Sequence, residues 1–134
     1  MPRKLARQIA HSILLDIPTE RAYELISQPE YMTRWFCDSC EPLADGFRAL
    51  WQTEEGHITG FDTRILSNQP GRMFAYEATS HVPIITRFVL TPVDGGCRLD
   101  LLETLPPDLP DLEMIYEEHF TGWQWFLQRL QTVA

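Results

Sequence analysis

Hydrophobic and polar positions alternate from Gln8 to Ile17. Ile9, Ile13, Leu15 and Ile17 share one parity, and Gln8, Ala10, Ser12 and Asp16 hold the other, with Leu14 the exception. That period of two predicts a half-buried strand. Pro18-Thr19-Glu20 then opens a helix, with Thr19 as its cap and Ala22, Leu25 and Ile26 at helical spacing. Ser27-Gln28-Pro29 stops it, and Pro29 starts a second short helix that runs to Trp35. Beyond it the texture changes to strands punctuated by glycine turns: Phe47 to Gln52, His57 to Leu66, Arg72 to Ser80, Ile84 to Val93 and Cys97 to Thr104. Asp94-Gly95-Gly96 is a tight hairpin signal between the last two. After Pro106-Pro107-Asp108-Leu109-Pro110, the segment from Asp111 to Val133 repeats Leu112, Ile115, His119, Trp123, Leu127 and Leu130 at three- and four-residue steps, which predicts a long amphipathic helix.

The order is therefore strand, two helices, five strands, long helix. Short loops between consecutive strands favour an antiparallel meander. An antiparallel sheet of about six strands with its helices on one side is an α+β architecture. Strand twist bends such a sheet, and one straight helix laid against a concave surface leaves a cleft. At 134 residues the chain is read as one domain, residues 1–134.

Charge and cysteine content narrow the function classes. The net charge is −8, and three of the eleven bases (Arg3, Lys4 and Arg7) stand in the first seven residues, leaving eight bases against nineteen acids beyond them. A surface this acidic repels phosphate backbones and anionic lipid, so neither nucleic acid nor a membrane is expected as a partner. Between Leu101 and Glu118 there are six acids and no base, which reads as a solvated face. No apolar run is long enough to span a bilayer, and no secretory leader is expected. Three cysteines, Cys37, Cys40 and Cys97, are an odd number, which suits a reducing cytoplasm better than a disulfide scaffold.

The chain resembles the START-like superfamily with its helix-grip fold, in the branch named after the C-terminal domain of the Hsp90 ATPase activator. The resemblance rests on Ser12-Ile13-Leu14-Leu15-Asp16-Ile17-Pro18-Thr19-Glu20-Arg21-Ala22-Tyr23, on Pro29-Glu30 through Trp35, and on Gly46-Phe47 with Trp51. Further on it rests on Gly60 with Ile65 and Pro70-Gly71-Arg72, on Phe88-Val89-Leu90-Thr91-Pro92 before Gly95-Gly96-Cys97-Arg98-Leu99, and on Gly122-Trp123 with Leu127 and Leu130. It covers roughly residues 9–133. It implies a curved antiparallel sheet gripping the C-terminal helix. It also implies one of three roles: hydrophobic-ligand binding, cyclase, dehydratase or hydrolase chemistry, or assistance to a chaperone. The fold alone does not choose among them.

Strand parity supplies a candidate lining for the cleft. Phe47, Ala49 and Trp51 face one way, as do Phe61 with Ile65, Phe74 with Tyr76, Phe88 with Leu90, and Leu99 with Leu101. Arg64, Arg87, Arg98 and Asp100 face solvent. Glu103 shares the inward parity of Leu99 and Leu101, and Tyr116, His119, Phe120 and Trp123 face back from the last helix. With Trp35 these residues make an aromatic pocket whose polar end is Glu103, His119, Tyr76 and His57. A pocket of that character suits a small hydrophobic or amphipathic molecule, bound without a cofactor by a monomer or homodimer. Glu103 and His119 are the candidates for acid–base catalysis if there is any, since a half-buried carboxylate beside an imidazole shifts both groups. Cys37-Asp38-Ser39-Cys40 has the spacing of a chelating or redox dithiol. It lacks further ligands in sequence and is expected to lie in a loop, so an incidental pair is the expected reading.

Overall fold

The antiparallel sheet forms because each amphipathic stretch finds a neighbour in register. The computed structural model describes residues 6–134, so Arg3 and Lys4 of the basic start lie outside the described residues. The elements are β1 (Arg7–Leu15), α1 (Thr19–Ser27), α2 (Pro29–Met32), β2 (Ser39–Pro42), β3 (Phe47–Gln52), β4 (Ile58–Gln69), β5 (Met73–Ala78), β6 (Ile85–Val93), β7 (Gly96–Leu105) and α3 (Leu112–Val133). They build a seven-stranded sheet in the order β1-β7-β6-β5-β4-β3-β2. Strands β2 to β7 follow one another as a meander. The first strand returns beside the last, with Arg7 opposite Leu105 and Leu15 opposite Cys97.

The sheet has one strand more than the roughly six expected. The extra strand, β2, contains Cys40, which the sequence reading put in a loop. Its four residues, Ser-Cys-Glu-Pro, carry no hydrophobic alternation and end in proline. They pair along β3 from Ser39 opposite Leu50 to Pro42 opposite Phe47, with one cross-strand ion pair between Glu41 and Arg48 at 3.4 Å. Thr19 differs too. It is the first helical residue and buried, while Pro18 in extended conformation stands at the N-cap without a side-chain bond. The second helix stops at Met32 rather than Trp35.

Inward parity along β7 is complete: Cys97, Leu99, Leu101, Glu103 and Leu105 are all buried. Helix α1 packs Ala22, Leu25 and Ile26 into the core, and the Leu25 carbonyl accepts the indole N–H of Trp35 at 2.7 Å. Phe88 of β6 touches Trp35 on one side and Trp123 of α3 on the other, with ring centroids 6.4 and 5.7 Å away. One aromatic residue of the sheet thus touches both the α2 end and the closing helix. A register shift between Ile65 and Ser67 interrupts the β4–β5 ladder, a device that bends and twists a strand locally. Gly95 adopts φ +83° in the β6–β7 turn, where a side chain would be strained. At Gly60 the constraint is contact: a Cβ there would stand 2.0 Å from the Ala49 carbonyl oxygen.

Candidate functional site

Between the sheet and α3 lies a mainly apolar cavity of about 500 Å³. Strands β3 and β4 supply Trp51, Thr59, Gly60 and Phe61; β5 supplies Tyr76 and Ala78; β6 and β7 supply Thr86 and Glu103. Helix α3 contributes Ile115, Glu118, His119, Gly122, Trp123 and Phe126, which recur at helical spacing along one face. The wall is completed by Phe36 after α2, by His81, Val82 and Ile84 before β6, and by Leu109 before α3.

Phe36 is the hub of the aromatic wall. It stacks on Trp123 at 5.5 Å with an interplanar angle of 8°. It also meets Trp51, Phe61 and Phe126 edge-on. Trp51 stacks on Phe61 at 5.8 Å and donates its indole N–H to the Phe36 carbonyl at 2.8 Å. Such offset and edge-on contacts add about 0.5–1.5 kcal/mol per pair beyond burial.

The polar end is organised by Glu103, only 3% exposed. Its Oε2 accepts from Thr86 Oγ1 at 2.9 Å and from Trp123 Nε1 at 2.8 Å. Its Oε1 pairs with His119 Nδ1 at 2.5 Å. His119 and Trp123 lie four residues apart on one helical face, so both reach the same carboxylate. Because a buried charge without partners is strongly disfavoured, these three donors are what make Glu103 tolerable there. The bond to Glu103 raises the pKa of His119 above its ordinary value, against the opposing effect of burial, with the charges of Glu103 and Glu118 adding to the rise. With Nδ1 turned to the carboxylate, Nε2 has no hydrogen-bond partner among the described residues. A carboxylate–imidazole pair so arranged can orient a ligand or move a proton at Nε2. Burial, then the Glu103 charge, raises the Tyr76 phenol, which therefore stays protonated.

Six of the residues singled out in the sequence meet at this cavity: Trp51, Phe61, Tyr76, Glu103, His119 and Trp123. The others lie elsewhere. Trp35, Phe47, Phe88, Leu90 and Leu101 are consumed by core packing, all but fully buried; Phe47, for instance, meets the Tyr76 ring edge-on at 5.0 Å. Tyr116 and Phe120 turn towards β1, with Arg7 4.2 Å above the Tyr116 ring and His11 4.5 Å from Phe120. The helical face offered to the cavity is rotated from the one expected, because Ile115, Glu118 and Gly122 occupy it. His57 is exposed in the β3–β4 turn and takes no part. Phe36 and Phe126 were missed. Phe126 lies three residues after Trp123 and seven after His119, a spacing that could have found it. Phe36 sits outside any regular element and has no such signal.

Cys37 is buried and Cys40 half-buried, and both are free thiols. The Cys37 thiol donates to the Met32 carbonyl at 3.9 Å; the proximity of the two thiols lowers the pKa of Cys40 and raises that of Cys37, with burial adding to the latter. Among the described residues, no group of three or more His, Cys, Asp or Glu is placed to hold a metal ion.

A strand meander closed by a C-terminal helix around a hydrophobic cavity defines the helix-grip class of START-like domains. Within that class the chain belongs to the family described as Activator of Hsp90 ATPase homolog 1-like protein, whose model matches residues 16–134. The fold recurs in solved structures. A crystal structure of a Nitrosomonas europaea protein aligns with a TM-score of 0.80 at 17% identity, covering 93% of this chain and 92% of that one. A Chromobacterium violaceum protein aligns at 0.76 and 22% identity, covering 94% and 95%. The solution structure of the Aha1 dimer from Colwellia psychrerythraea aligns at 0.71 and 15% identity, covering 93% of each chain. No curated protein matches the chain.

Proposed function

We propose that the protein binds a small, largely hydrophobic molecule in the space between the sheet and α3, as one domain and without chemical conversion of its ligand. The cavity carries this reading: about 500 Å³ of mainly apolar space with a few polar groups gathered at Glu103 and His119. Sites for small molecules have that composition. Removing a ligand's apolar surface from water contributes about 25 cal/mol per Å², which suffices for micromolar affinity. Trp51, Phe61, Tyr76 and Trp123 form the wall, and Glu103 with His119 fixes the polar end. Free thiols at Cys37, Cys40 and Cys97 are consistent with a reducing, cytoplasmic setting. No helix among the described residues is long and apolar enough to cross a membrane.

Native mass spectrometry of freshly purified protein, followed by titration with the neutral fluorophore N-phenyl-1-naphthylamine, tests the proposal. A co-purifying small molecule, or saturable one-to-one uptake with a fluorescence rise, is the expected result. A protein that carries nothing and leaves the fluorophore dark would overturn it.

Family membership supports a second reading, protein interaction in the manner of the Hsp90 ATPase activator. With Glu103 buried rather than on the solvated face expected for this run, the exposed acids Asp108, Asp111, Glu113, Glu117 and Glu118 would then meet a basic partner, and its capture should weaken steeply as salt is raised. Capture indifferent to salt would remove that surface from consideration.

A further inference from the structure

The chemistry of the cavity wall restricts the charge of its occupant. Building on the ligand-binding reading above, we propose that the site is selective for a hydrophobic amine, a cation whose ring body fills the aromatic pocket and whose ammonium lies at the rim beside Glu118. Among the described residues, neither lysine nor arginine lines the cavity; its ionisable groups are Glu103, Glu118, His81 and His119. Two carboxylates and two imidazoles hold the charge of the wall at or below zero, even with both rings protonated. A carboxylate or phosphate group entering this space would lose its hydration and face two carboxylates, finding in return only the Nε2 of His119, an imidazole whose charge Glu103 already balances. Fatty acids are therefore disfavoured despite the apolar lining.

Glu103 is not the partner of the amine. Its oxygens are already taken by Thr86, Trp123 and His119. Glu118 stands beside His119 and one turn before Gly122, at the solvent edge, and makes no hydrogen bond or ion pair among the described residues. It is the uncommitted anion of the wall. The aromatic rings of Phe36, Trp51, Phe61 and Phe126 line the same space, and aromatic rings attract cations rather than anions at their faces.

Calorimetric titration with 1-naphthylmethylamine, 1-naphthalenemethanol and 1-naphthoic acid isolates the head-group charge on one ring body. The amine is expected to bind most tightly, about tenfold over the alcohol, with the acid weakest. Glu118→Gln, at an exposed position, should weaken the amine about tenfold and the alcohol far less, and equal losses for both would count against the charge pairing. Equal affinities for all three, or preference for the acid, would overturn the charge selectivity while leaving a binding cavity. Failure of all three to bind would overturn the ligand-binding reading itself and this inference with it.

Discussion

Gly122 offers the sharpest test of whether the space under α3 is open in solution. It lies inside a 22-residue helix, on the face that meets the cavity, and a Cβ placed on it touches no heavy atom within 4 Å. Glycine inside a helix is about 1 kcal/mol less favourable than alanine. Gly122→Ala should therefore stabilise the protein by about 1 kcal/mol, or roughly 3–5 °C in melting temperature for a domain of this size. Gly122→Leu carries the reasoning further. Its side chain enters the cavity and gains helix propensity plus part of the roughly 1.5–3 kcal/mol of a buried leucine. It also takes up room that a ligand needs. The expected pattern is a variant at least as stable as the parent whose affinity for N-phenyl-1-naphthylamine falls at least about tenfold. Thermal unfolding by circular dichroism and fluorophore titration read the two quantities independently. A cavity collapsed in solution would behave oppositely, since overpacking a filled core destabilises by about 1–3 kcal/mol. Destabilisation of that size, or a stable leucine variant that binds undiminished, would refute the open cavity.

Three further outcomes follow from the polar end and the thiols. Trp123→Phe keeps most of the aromatic contact but removes one donor from Glu103, so it should lower stability by about 1–3 kcal/mol, whereas Trp123→Ala should lose about 3–5 kcal/mol together with ligand uptake; chemical denaturation showing no loss in either would mean that Glu103 does not depend on this helix. Because the pKa of His119 is raised in the folded state, its pairing with Glu103 stabilises fully below the ordinary histidine pKa and fades as pH rises through the raised value. The melting-temperature gap between the parent and His119→Gln should accordingly shrink from pH 6 to pH 9, and a gap that widens would reverse the assignment. Brief iodoacetamide treatment followed by peptide mapping should modify Cys40 first, since it is the more exposed thiol and the one whose pKa is lowered; prior labelling of Cys37 or Cys97 would contradict that order.

Strand parity was the most legible property of the sequence. It turned Glu103 inward with Leu99 and Leu101, and the structure places it there as the acceptor of three side-chain bonds. A period of two is rigid, so one buried leucine fixes the facing of its whole strand. The helix was less legible. Its apolar residues form a broad stripe along α3, because one side seals against β1 through Tyr116 and Phe120 while the other walls the cavity through Ile115 and Phe126. Periodicity shows that a helix has an apolar stripe, not which edge of the stripe stays unfilled. Phe47, Phe88 and Leu90 face the right side of the sheet, yet α1 and the α2 end already cover that region. Only the tertiary arrangement decides which inward residues reach empty space. Strand β2 escaped notice because it is four residues long without hydrophobic alternation; its backbone ladder and the Glu41–Arg48 pair leave no periodic signal in the sequence.

The fastening of α3 to the sheet bears on how a guest molecule gets in and out. Glu103 on β7 clasps the helix near its midpoint through two side chains at once, with Leu127 and Leu130 seated in the core beyond. A helix anchored that way is poorly suited to swing as a door. Traffic would instead pass where the wall is built from connecting segments, around Val82 and Leu109, whose opening needs no buried charge to be uncovered. Amide hydrogen exchange should then be fast at residues 80–82 and at Asp108 and Asp111, and slow from Trp123 to Leu127. The opposite ranking would make the helix itself the gate.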